Sequence, residues 1–218
     1  MWRSTARRSS RKRMVVGITG GLASGKSAVT DLLRRRGALV FSADEASRAV
    51  MAMGGPVLAR VAAEFGGVID PNGALDRAAL GRRIFADADA RERLNSIVHP
   101  AVIRLLHSQI QAAREDFPGA TVVVEVPLLF EANLSEWFER IVVVTASEPT
   151  QIARLAARNG LDEQEARGRI RAQWPITEKA RRAHFVIQNE GSQGELDMAV
   201  ERLWDKLHQP EPECTTKP

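Results

Sequence analysis

The chain has little cysteine and no long apolar run. Its 218 residues include a single cysteine, Cys214, so neither a disulfide framework nor a cysteine-based metal site can form within one chain. No stretch approaches the roughly 20 apolar residues that a membrane-spanning helix needs, and the first residues lack the apolar segment of a secretory signal. We therefore expect a cytoplasmic protein with no membrane partner.

Acidic residues are missing from residues 1–13, which contain six Lys and Arg residues. Since the whole chain carries a net charge of +4, residues 14–218 carry −2, and the body of the protein is not basic. We expect residues 1–13 to be a disordered basic tail or an over-extended start rather than a nucleic-acid-binding arm. The proline-rich residues 208–218 are expected to form a disordered C-terminal tail.

The most informative motif is the G-x-x-x-x-G-K-S sequence at residues 20–27, which directly follows the apolar run at 15–19. A strand, a glycine-rich turn and a helix in this order present backbone N–H groups and a positive helix end to a polyphosphate. Lys26 would contact the β- and γ-phosphates, and the Ser27 hydroxyl would bind Mg²⁺. An ordinary glycine-rich turn would not explain a lysine followed by a hydroxyl residue. We therefore predict an enzyme that uses a nucleoside triphosphate and Mg²⁺, with the nucleotide held by Gly20, Gly21, Leu22, Ala23, Ser24, Gly25, Lys26, Ser27 and Ala28.

Five short apolar runs predict the strands of a sheet, at residues 15–19, 38–42, 121–126, 141–145 and 185–187. Helical patterns lie between them, and near-continuous valine and isoleucine runs are typical of a parallel sheet buried on both faces. The predicted fold class is α/β, a P-loop NTPase-type parallel sheet of about five strands flanked by helices. Ligands bind at the carboxyl ends of such strands.

Two helical regions are added to this alternation. Apolar spacing of three and four predicts helices at residues 58–65, 77–85, 88–97 and 102–113, with breaks at residues 70–73 and at Pro100. We interpret residues 45–118 as a helical substrate-binding insertion and the arginine-rich residues 151–182 as a helical lid. Residues 14–207 would then form one kinase unit.

Asp44 lies two residues past the predicted strand at 38–42, at the edge where ligands bind. A carboxylate here can accept the proton of an acceptor hydroxyl during phosphoryl transfer. It can also cap the following helix, predicted at residues 45–53. We favour the base, and both roles are compatible. Arg48, four residues later on the same helical face, would bind substrate phosphate or pair with Asp44.

Three further segments place candidate residues near the site. His99 closes one predicted helix and precedes another, and we expect it to line the site. Pro127 and Leu128 follow the third predicted strand and form either an apolar wall of the site or part of the core. Arg154 and Arg158 repeat at i and i+4 in the predicted lid, where one or two arginines would close over ATP.

Between residues 15 and 207, the chain resembles the dephospho-CoA kinase family of P-loop enzymes in the order of its motifs. The resemblance rests on residues 18–21, Asp44 with Arg48, and residues 75–77, 98–100, 126–131, 151–154, Gln173 and 187–189. It implies transfer of the ATP γ-phosphate to the ribose 3′-hydroxyl of dephospho-CoA, the final step of coenzyme A synthesis. The insertion would then be the CoA-binding domain.

The resemblance also implies roles for individual residues. Asp44 matches the family's proposed base, Arg154 its lid arginine, and Asn189 the loop near the adenine of ATP. The predicted catalytic residues are Lys26, Asp44 and Arg154, and the predicted substrate-side residues are Asp44, Arg48, Arg77, His99, Pro127 and Leu128.

The chain departs from the family pattern at two positions. Ser42 replaces the first acid of the pattern Asp-Ala-Asp, so it cannot supply charge to the metal or substrate. His184 replaces the usual acid before the last strand, which we expect to alter lid packing more than chemistry.

Other P-loop proteins are the competing interpretations. A kinase acting on a nucleoside monophosphate or a shikimate-like alcohol would not be expected to combine Arg48, Arg77, His99 and residues 127–131. A GTPase switch would need an Asn-Lys-x-Asp motif and an ABC-type ATPase a Leu-Ser-Gly-Gly-Gln motif, and the chain has neither. The sequence leaves the oligomeric state open, with a monomer favoured.

Overall fold

The computed structural model describes residues 14–209, and of residues 85 and 86 the backbone alone. One parallel sheet contains the strands β1 (Val15–Gly20), β2 (Leu39–Ser42), β3 (Val122–Glu125), β4 (Arg140–Thr145) and β5 (Phe185–Gln188). Their order across the sheet is β2-β3-β1-β4-β5. This confirms the predicted α/β class and its parallel sheet of about five strands. The predicted tail at 1–13, most of the predicted C-terminal tail, and Cys214 lie outside the described residues.

Helices flank the sheet and occupy the two predicted helical regions. Their bounds are α1 (Lys26–Arg35), α2 (Ala43–Val50), α3 (Pro56–Phe65), α4 (Arg77–Ala86), α5 (Ala88–Asp116), α6 (Glu148–Asn159), α7 (Glu163–Arg171), α8 (Ile176–Arg181) and α9 (Gln193–His208). Helices α3 to α5 fall in the predicted insertion, and α6 to α8 cover the predicted lid. Within residues 14–209, no helix has the length and apolar character needed to cross a membrane.

The strands bury both faces of the sheet in two separate apolar cores. Val15, Val122 and Val143 pack on one face, with apolar residues of α2 to α5. Val16 and Val142 pack on the other face, with apolar residues of α1 and α9. Because successive strand residues point to opposite faces, a sheet covered on both sides requires apolar residues at nearly every strand position.

The predicted helix break at Pro100 is wrong, because α5 runs through it as one helix of 29 residues. Proline removes one backbone N–H donor and disturbs the preceding turn. Pro100 and Ser96, whose carbonyl loses that donor, are both exposed, so water can satisfy the carbonyl. Val98 and Val102 are buried on either side of Pro100, and this continuous packing maintains the helix.

The carboxyl ends of the three neighbouring strands β2, β3 and β1 meet at one edge of the sheet. Glu125 at the end of β3 is the register partner of Ile18 in β1 and of Ser42 in β2. The segments that follow β1, β2 and β3 therefore converge on one cleft, and the segment after β2 is the start of α2. This cleft contains the residues described next.

Candidate active site

Three residues with positive φ lie between the end of β1 and the start of α1. Gly20 has a φ of 151°, and a Cβ there would lie 2.1 Å from the carbonyl oxygen of Val144, so only glycine allows β1 to turn this close to β4. Gly25, at the N-terminal cap of α1, has a φ of 92°. Ala23 has a φ of 55°, a conformation that costs an alanine about 1–2 kcal/mol. Such strain is typical of ligand-binding loops.

Lys26 is a buried cation at the start of α1. Its Nζ atom donates a hydrogen bond to the carbonyl of Gly21 at 2.9 Å, which holds the side chain over the loop. Burial lowers the pKa of Lys26 below 10.5, while the carboxylates of Glu125 and Asp44 act in the opposite direction. The phosphate-binding loop and two carboxylates are therefore electrostatically coupled in one site.

Glu125 is the carboxylate that lies against the loop. Its Oε1 atom accepts a hydrogen bond from the Ser27 hydroxyl at 3.3 Å, and Oε2 accepts one from the Thr30 hydroxyl at 3.3 Å. Burial raises the pKa of Glu125 above 4.5, and the charge of Lys26 and the two hydroxyl hydrogen bonds partly offset that effect. A serine hydroxyl and a carboxylate in contact are the two protein ligands that P-loop enzymes offer to Mg²⁺.

A cavity of about 940 Å³ opens in front of the loop. Its lining includes the loop residues Ala23, Lys26 and Ser27 together with Asp44, Glu125 and Arg154, which we call the polar end. It also includes a set of apolar residues, most of them on α5, which we call the apolar end: Leu94, Val98, Val102, Ile103, Leu106 and Leu128. Asn95 and His99 of α5 line the cavity beside this apolar set. The cavity can thus hold a charged group beside the loop and an apolar group along α5.

Asp44 lies at the polar end of this cavity, near the start of α2. The alternative that Asp44 caps a helix at 45–53 is wrong, because α2 spans Ala43–Val50 and its N-cap is Ser42. The Ser42 hydroxyl accepts a hydrogen bond from the backbone N–H of Glu45 at 3.4 Å. Within residues 14–209, no hydrogen bond or ion pair holds the Asp44 carboxylate, which leaves it available to a ligand.

The remaining predicted substrate-side residues divide into two groups. His99, Pro127 and Leu128 line the cavity. Among the described residues, the exposed Arg48 and Arg77 are not part of the lining. Partial burial of the His99 side chain lowers its pKa below 6.5.

The predicted nucleotide-binding residues also divide into two groups. Leu22, Ala23, Gly25, Lys26, Ser27 and Arg154 line the cavity. The other predicted nucleotide-binding residues do not line the cavity in the described part of the chain. They are Gly20, Gly21, Ser24, Ala28 and Asn189.

Arg154 reaches from α6 to the phosphate-binding loop. Its Nη1 atom donates to the carbonyls of Ala23 and Ser24, each at 3.3 Å, and Nη2 donates to the carbonyl of Asn189 at 3.0 Å. The side chain of Asn189 donates to Ser24 as well, at 2.8 Å. The predicted lid arginine and the segment after β5 are therefore in contact with the loop.

Lys179 of α8 is a fully buried cation that joins the predicted lid to the segment after β3. Its Nζ atom pairs with Glu131 Oε1 at 2.7 Å and donates to the carbonyl of Pro127 at 3.3 Å. The same carbonyl accepts a hydrogen bond from the Thr19 hydroxyl at 3.1 Å, and Glu131 Oε1 accepts one from the backbone N–H of Trp174 at 3.1 Å. This network holds the cavity wall at Pro127 between β1 and α8.

Sequence reasoning did not single out Glu125 or Lys179. Glu125 had a recognisable signal, since a carboxylate at the end of a strand beside a P-loop strand is the usual second partner of Mg²⁺. Lys179 had none in the pattern alone, because a lysine in an arginine-rich helical segment is normally solvated. Arg158, considered only as a lid residue, also lines the cavity.

The parallel sheet, the phosphate-binding loop and the free carboxylate across the cleft define a P-loop kinase that acts on a small molecule. The dephospho-CoA kinase family model matches residues 14–195, and the chain belongs to that family. This confirms the family expected from the motifs, and with it an ATP-dependent phosphotransferase.

Curated relatives of this family match most of the chain, and solved structures share its fold. Dephospho-CoA kinase from Geobacillus kaustophilus is 42% identical over 198 residues, covering 89% of this chain and 98% of the relative. The enzyme from Syntrophotalea carbinolica is 45% identical over 180 residues, covering 82% of this chain and 85% of the relative. A crystal structure from Thermus thermophilus is similar with a TM-score of 0.76 and 34% identity, covering 89% of this chain and 98% of the other. Dephospho-CoA kinase from Campylobacter jejuni shares the fold, with a TM-score of 0.67 at 22% identity over 89% of this chain and 96% of the other.

Proposed function

We propose that the protein transfers the γ-phosphate of ATP to the ribose 3′-hydroxyl of dephospho-CoA. The observation that carries the proposal is that the phosphate-binding loop, the carboxylate of Asp44 and an apolar wall of α5 all line one cavity of about 940 Å³. This volume lies at the upper end of the roughly 300–1,000 Å³ typical of small-molecule sites. Family membership supports the same reaction.

The donor would be bound at the polar end of the cavity. The N–H groups of the loop and the N-terminus of α1 would hold the phosphates, with Lys26 as the cation on the β- and γ-phosphates. Arg154 lies at the same loop and would supply a second cation to the transferring group. Positive charge placed where negative charge is shared in the transition state is the main catalytic effect available here.

Mg²⁺ would be held by Ser27 and Glu125. The donor set fits, because Mg²⁺ in nucleotide sites takes one or two protein oxygens and completes its shell with phosphate oxygens and water. The described residues contain no group of three or more His, Cys, Asp or Glu side chains that could hold a metal by themselves. When bound, the ion neutralises charge on the phosphates.

Asp44 would act as the general base. It would accept the proton of the 3′-hydroxyl as the hydroxyl oxygen forms a bond to the γ-phosphorus. The bond between that phosphorus and the β–γ bridging oxygen breaks, and ADP leaves. A carboxylate with no hydrogen bond or ion pair of its own within residues 14–209 is free to accept this proton.

The acceptor would extend along the apolar end of the cavity. The side chains of Val98, Val102 and Leu106 on α5 offer a surface for the pantetheine part of dephospho-CoA. His99 would contact the acceptor from the cavity lining. Arg48 and Arg77 would bind phosphate from outside the cavity lining, where both side chains are exposed.

The test is an acceptor panel with the purified protein. ATP consumption is measured with dephospho-CoA, AMP, CMP, shikimate or no acceptor, with and without Mg²⁺, and the products are identified by mass. We expect a Mg²⁺-dependent product that is one phosphoryl group heavier only with dephospho-CoA. Turnover with another acceptor but not with dephospho-CoA would refute the proposed substrate and retain the P-loop kinase.

The variant Lys26→Ala is the control for the donor site in this assay. Loss of the cation on the β- and γ-phosphates is expected to lower the rate by orders of magnitude. Near-normal turnover of Lys26→Ala would refute the assignment of the loop as the ATP site.

A further inference from the structure

Asn189 connects the last strand to the phosphate-binding loop. It is the first residue after β5, and its backbone N–H donates to the carbonyl of Thr145 at 2.9 Å, which continues the pairing of β5 with β4. Its side chain is only 7% exposed and donates through Nδ2 to the carbonyl of Ser24 at 2.8 Å. This amide therefore faces the loop rather than the cavity.

The loop is shaped to receive this amide. A Cβ at Gly25 would lie 2.0 Å from Asn189 Nδ2, so the absence of a side chain at Gly25 makes the approach possible. Glycine is required at this position for its φ of 92°, and the contact with Asn189 is a second, independent reason.

The hydrogen bond from Asn189 to Ser24 fixes the direction of the Ser24–Gly25 peptide group in the phosphate-binding loop. The Ser24–Gly25 peptide bond is trans, and in a planar trans peptide the carbonyl and the N–H point in opposite directions. Holding the Ser24 carbonyl toward Asn189 therefore directs the Gly25 N–H to the other side, and Gly25 lines the cavity. A carbonyl turned the other way would present negative charge to a phosphate.

Asn189 also fixes Arg154 through its backbone. Its carbonyl accepts a hydrogen bond from Arg154 Nη2 at 3.0 Å, while Arg154 Nη1 contacts the carbonyls of Ala23 and Ser24. The next residue, Glu190, accepts a hydrogen bond from the Thr150 hydroxyl at 2.7 Å and one from the backbone N–H of Ser147 at the N-terminus of α6. The segment after β5 thus holds both the loop and the helix that carries Arg154.

We infer that the Asn189 side chain is a positioning residue for triphosphate binding, which acts through the Ser24–Gly25 peptide of the loop and does not read the adenine base. The inference rests on the proposed function, because it assumes that the loop binds the triphosphate of ATP. It predicts that loss of the amide weakens every ligand with this phosphate chain equally, whether or not the ligand has a base.

The experiment compares binding of Mg²⁺–ATP and Mg²⁺–tripolyphosphate by titration calorimetry. Asn189→Asp preserves the size of the side chain but faces the Ser24 carbonyl with an acceptor, and Asn189→Leu removes the donor without adding charge. Asn72→Asp is the matched control, because Asn72 is an exposed turn residue of the insertion and its side chain has no partner within residues 14–209. Melting temperatures establish that each variant is folded.

We expect both Asn189 variants to lose affinity for ATP and for tripolyphosphate by the same factor, about tenfold. Asn72→Asp should bind both as the wild type does, and the KM for dephospho-CoA should change less than twofold in all three variants. A loss confined to ATP would overturn the inference in favour of base recognition. Unchanged binding of both ligands in a folded Asn189→Leu would overturn it as well. Wild-type protein that bound neither ligand would instead refute the proposed ATP site.

Discussion

At the scale of single residues, two carboxylates line the polar end of the cavity but differ in their partners. Glu125 accepts hydrogen bonds from Ser27 and Thr30. Within residues 14–209, no such bond holds the carboxylate of Asp44. A carboxylate that is already engaged is suited to a metal and its ligands, whereas a free one is suited to accept a proton. The proposed division of roles follows from this difference.

The variant Asp44→Asn tests the proposed base. It keeps the shape of the side chain but cannot accept the proton, so kcat is expected to fall by about 10²–10⁴-fold while the KM for ATP changes little. Because Ser42 caps α2, the melting temperature should stay close to that of the wild type. Steady-state kinetics and a thermal melt measure both quantities. An unchanged kcat would exclude Asp44 as the base.

Ser42 caps α2, although the family pattern has an acid at this position. Its hydroxyl accepts from the Glu45 N–H, and serine and aspartate are about equally good helix caps. We expect Ser42→Ala to lower the free energy of unfolding by about 1 kcal/mol, or roughly 2–4 °C in melting temperature. Ser42→Asp should match the wild type in stability and in its Mg²⁺ requirement. If Ser42→Asp reached its half-maximal rate at a lower Mg²⁺ concentration than the wild type, that result would instead place this residue in the metal site.

At the scale of elements, the buried pair of Lys179 and Glu131 connects α8 to the segment after β3. Glu131 Oε2 is buried and has no hydrogen-bond partner among the described residues, so the stability of its charge depends on Lys179. A buried pair that loses one member is strongly destabilised, because the remaining charge stays out of water.

The variant Lys179→Met is therefore expected to lower the free energy of unfolding by about 3–5 kcal/mol. The double variant Lys179→Met with Glu131→Gln should recover part of that loss, since it removes the uncompensated charge and keeps an acceptor for the Trp174 N–H. Denaturant unfolding of the two single variants and the double variant gives the coupling energy. Equal losses in Lys179→Met and in the double variant would contradict this explanation.

At the scale of the whole molecule, we expect the stability of the fold to depend on pH through His184, which lies just before the edge strand β5. The backbone N–H of Ile141 in β4 donates to His184 Nδ1 at 3.0 Å, which requires an unprotonated nitrogen. Desolvation, and then the charge of Arg140, lower the pKa of His184 below 6.5. The neutral ring is therefore favoured in the folded state, and its contribution is present above pH 6.5 and lost as the pH falls through the lowered pKa.

We expect the melting temperature of the wild type to fall more between about pH 7.5 and 5 than that of His184→Asn. The asparagine Oδ1 atom can accept the Ile141 N–H at every pH in this range. Thermal melts of the two proteins across the range measure the difference. Parallel pH profiles would exclude His184 as the titrating group.

Residues that act through local patterns were predictable from the sequence. The strands, the phosphate-binding loop and the position of Asp44 after β2 follow from apolar runs, glycines and short spacings, which depend on neighbours in the chain. The predicted break at Pro100 was wrong because α5 does not depend on its local sequence alone. The packing of Val98 and Val102 against other elements outweighs the local effect of proline.

The sequence by itself determined the class of site, because a lysine, a serine and glycines at fixed spacing position a phosphate through their own backbone. Only the tertiary structure decided which distant groups complete that site. It paired Ser27 with Glu125 and brought Asn189 to Ser24 across a separation of 165 residues, while it left Arg48 outside the cavity lining. Such pairings arise from strand order and packing, and no spacing along the chain encodes them.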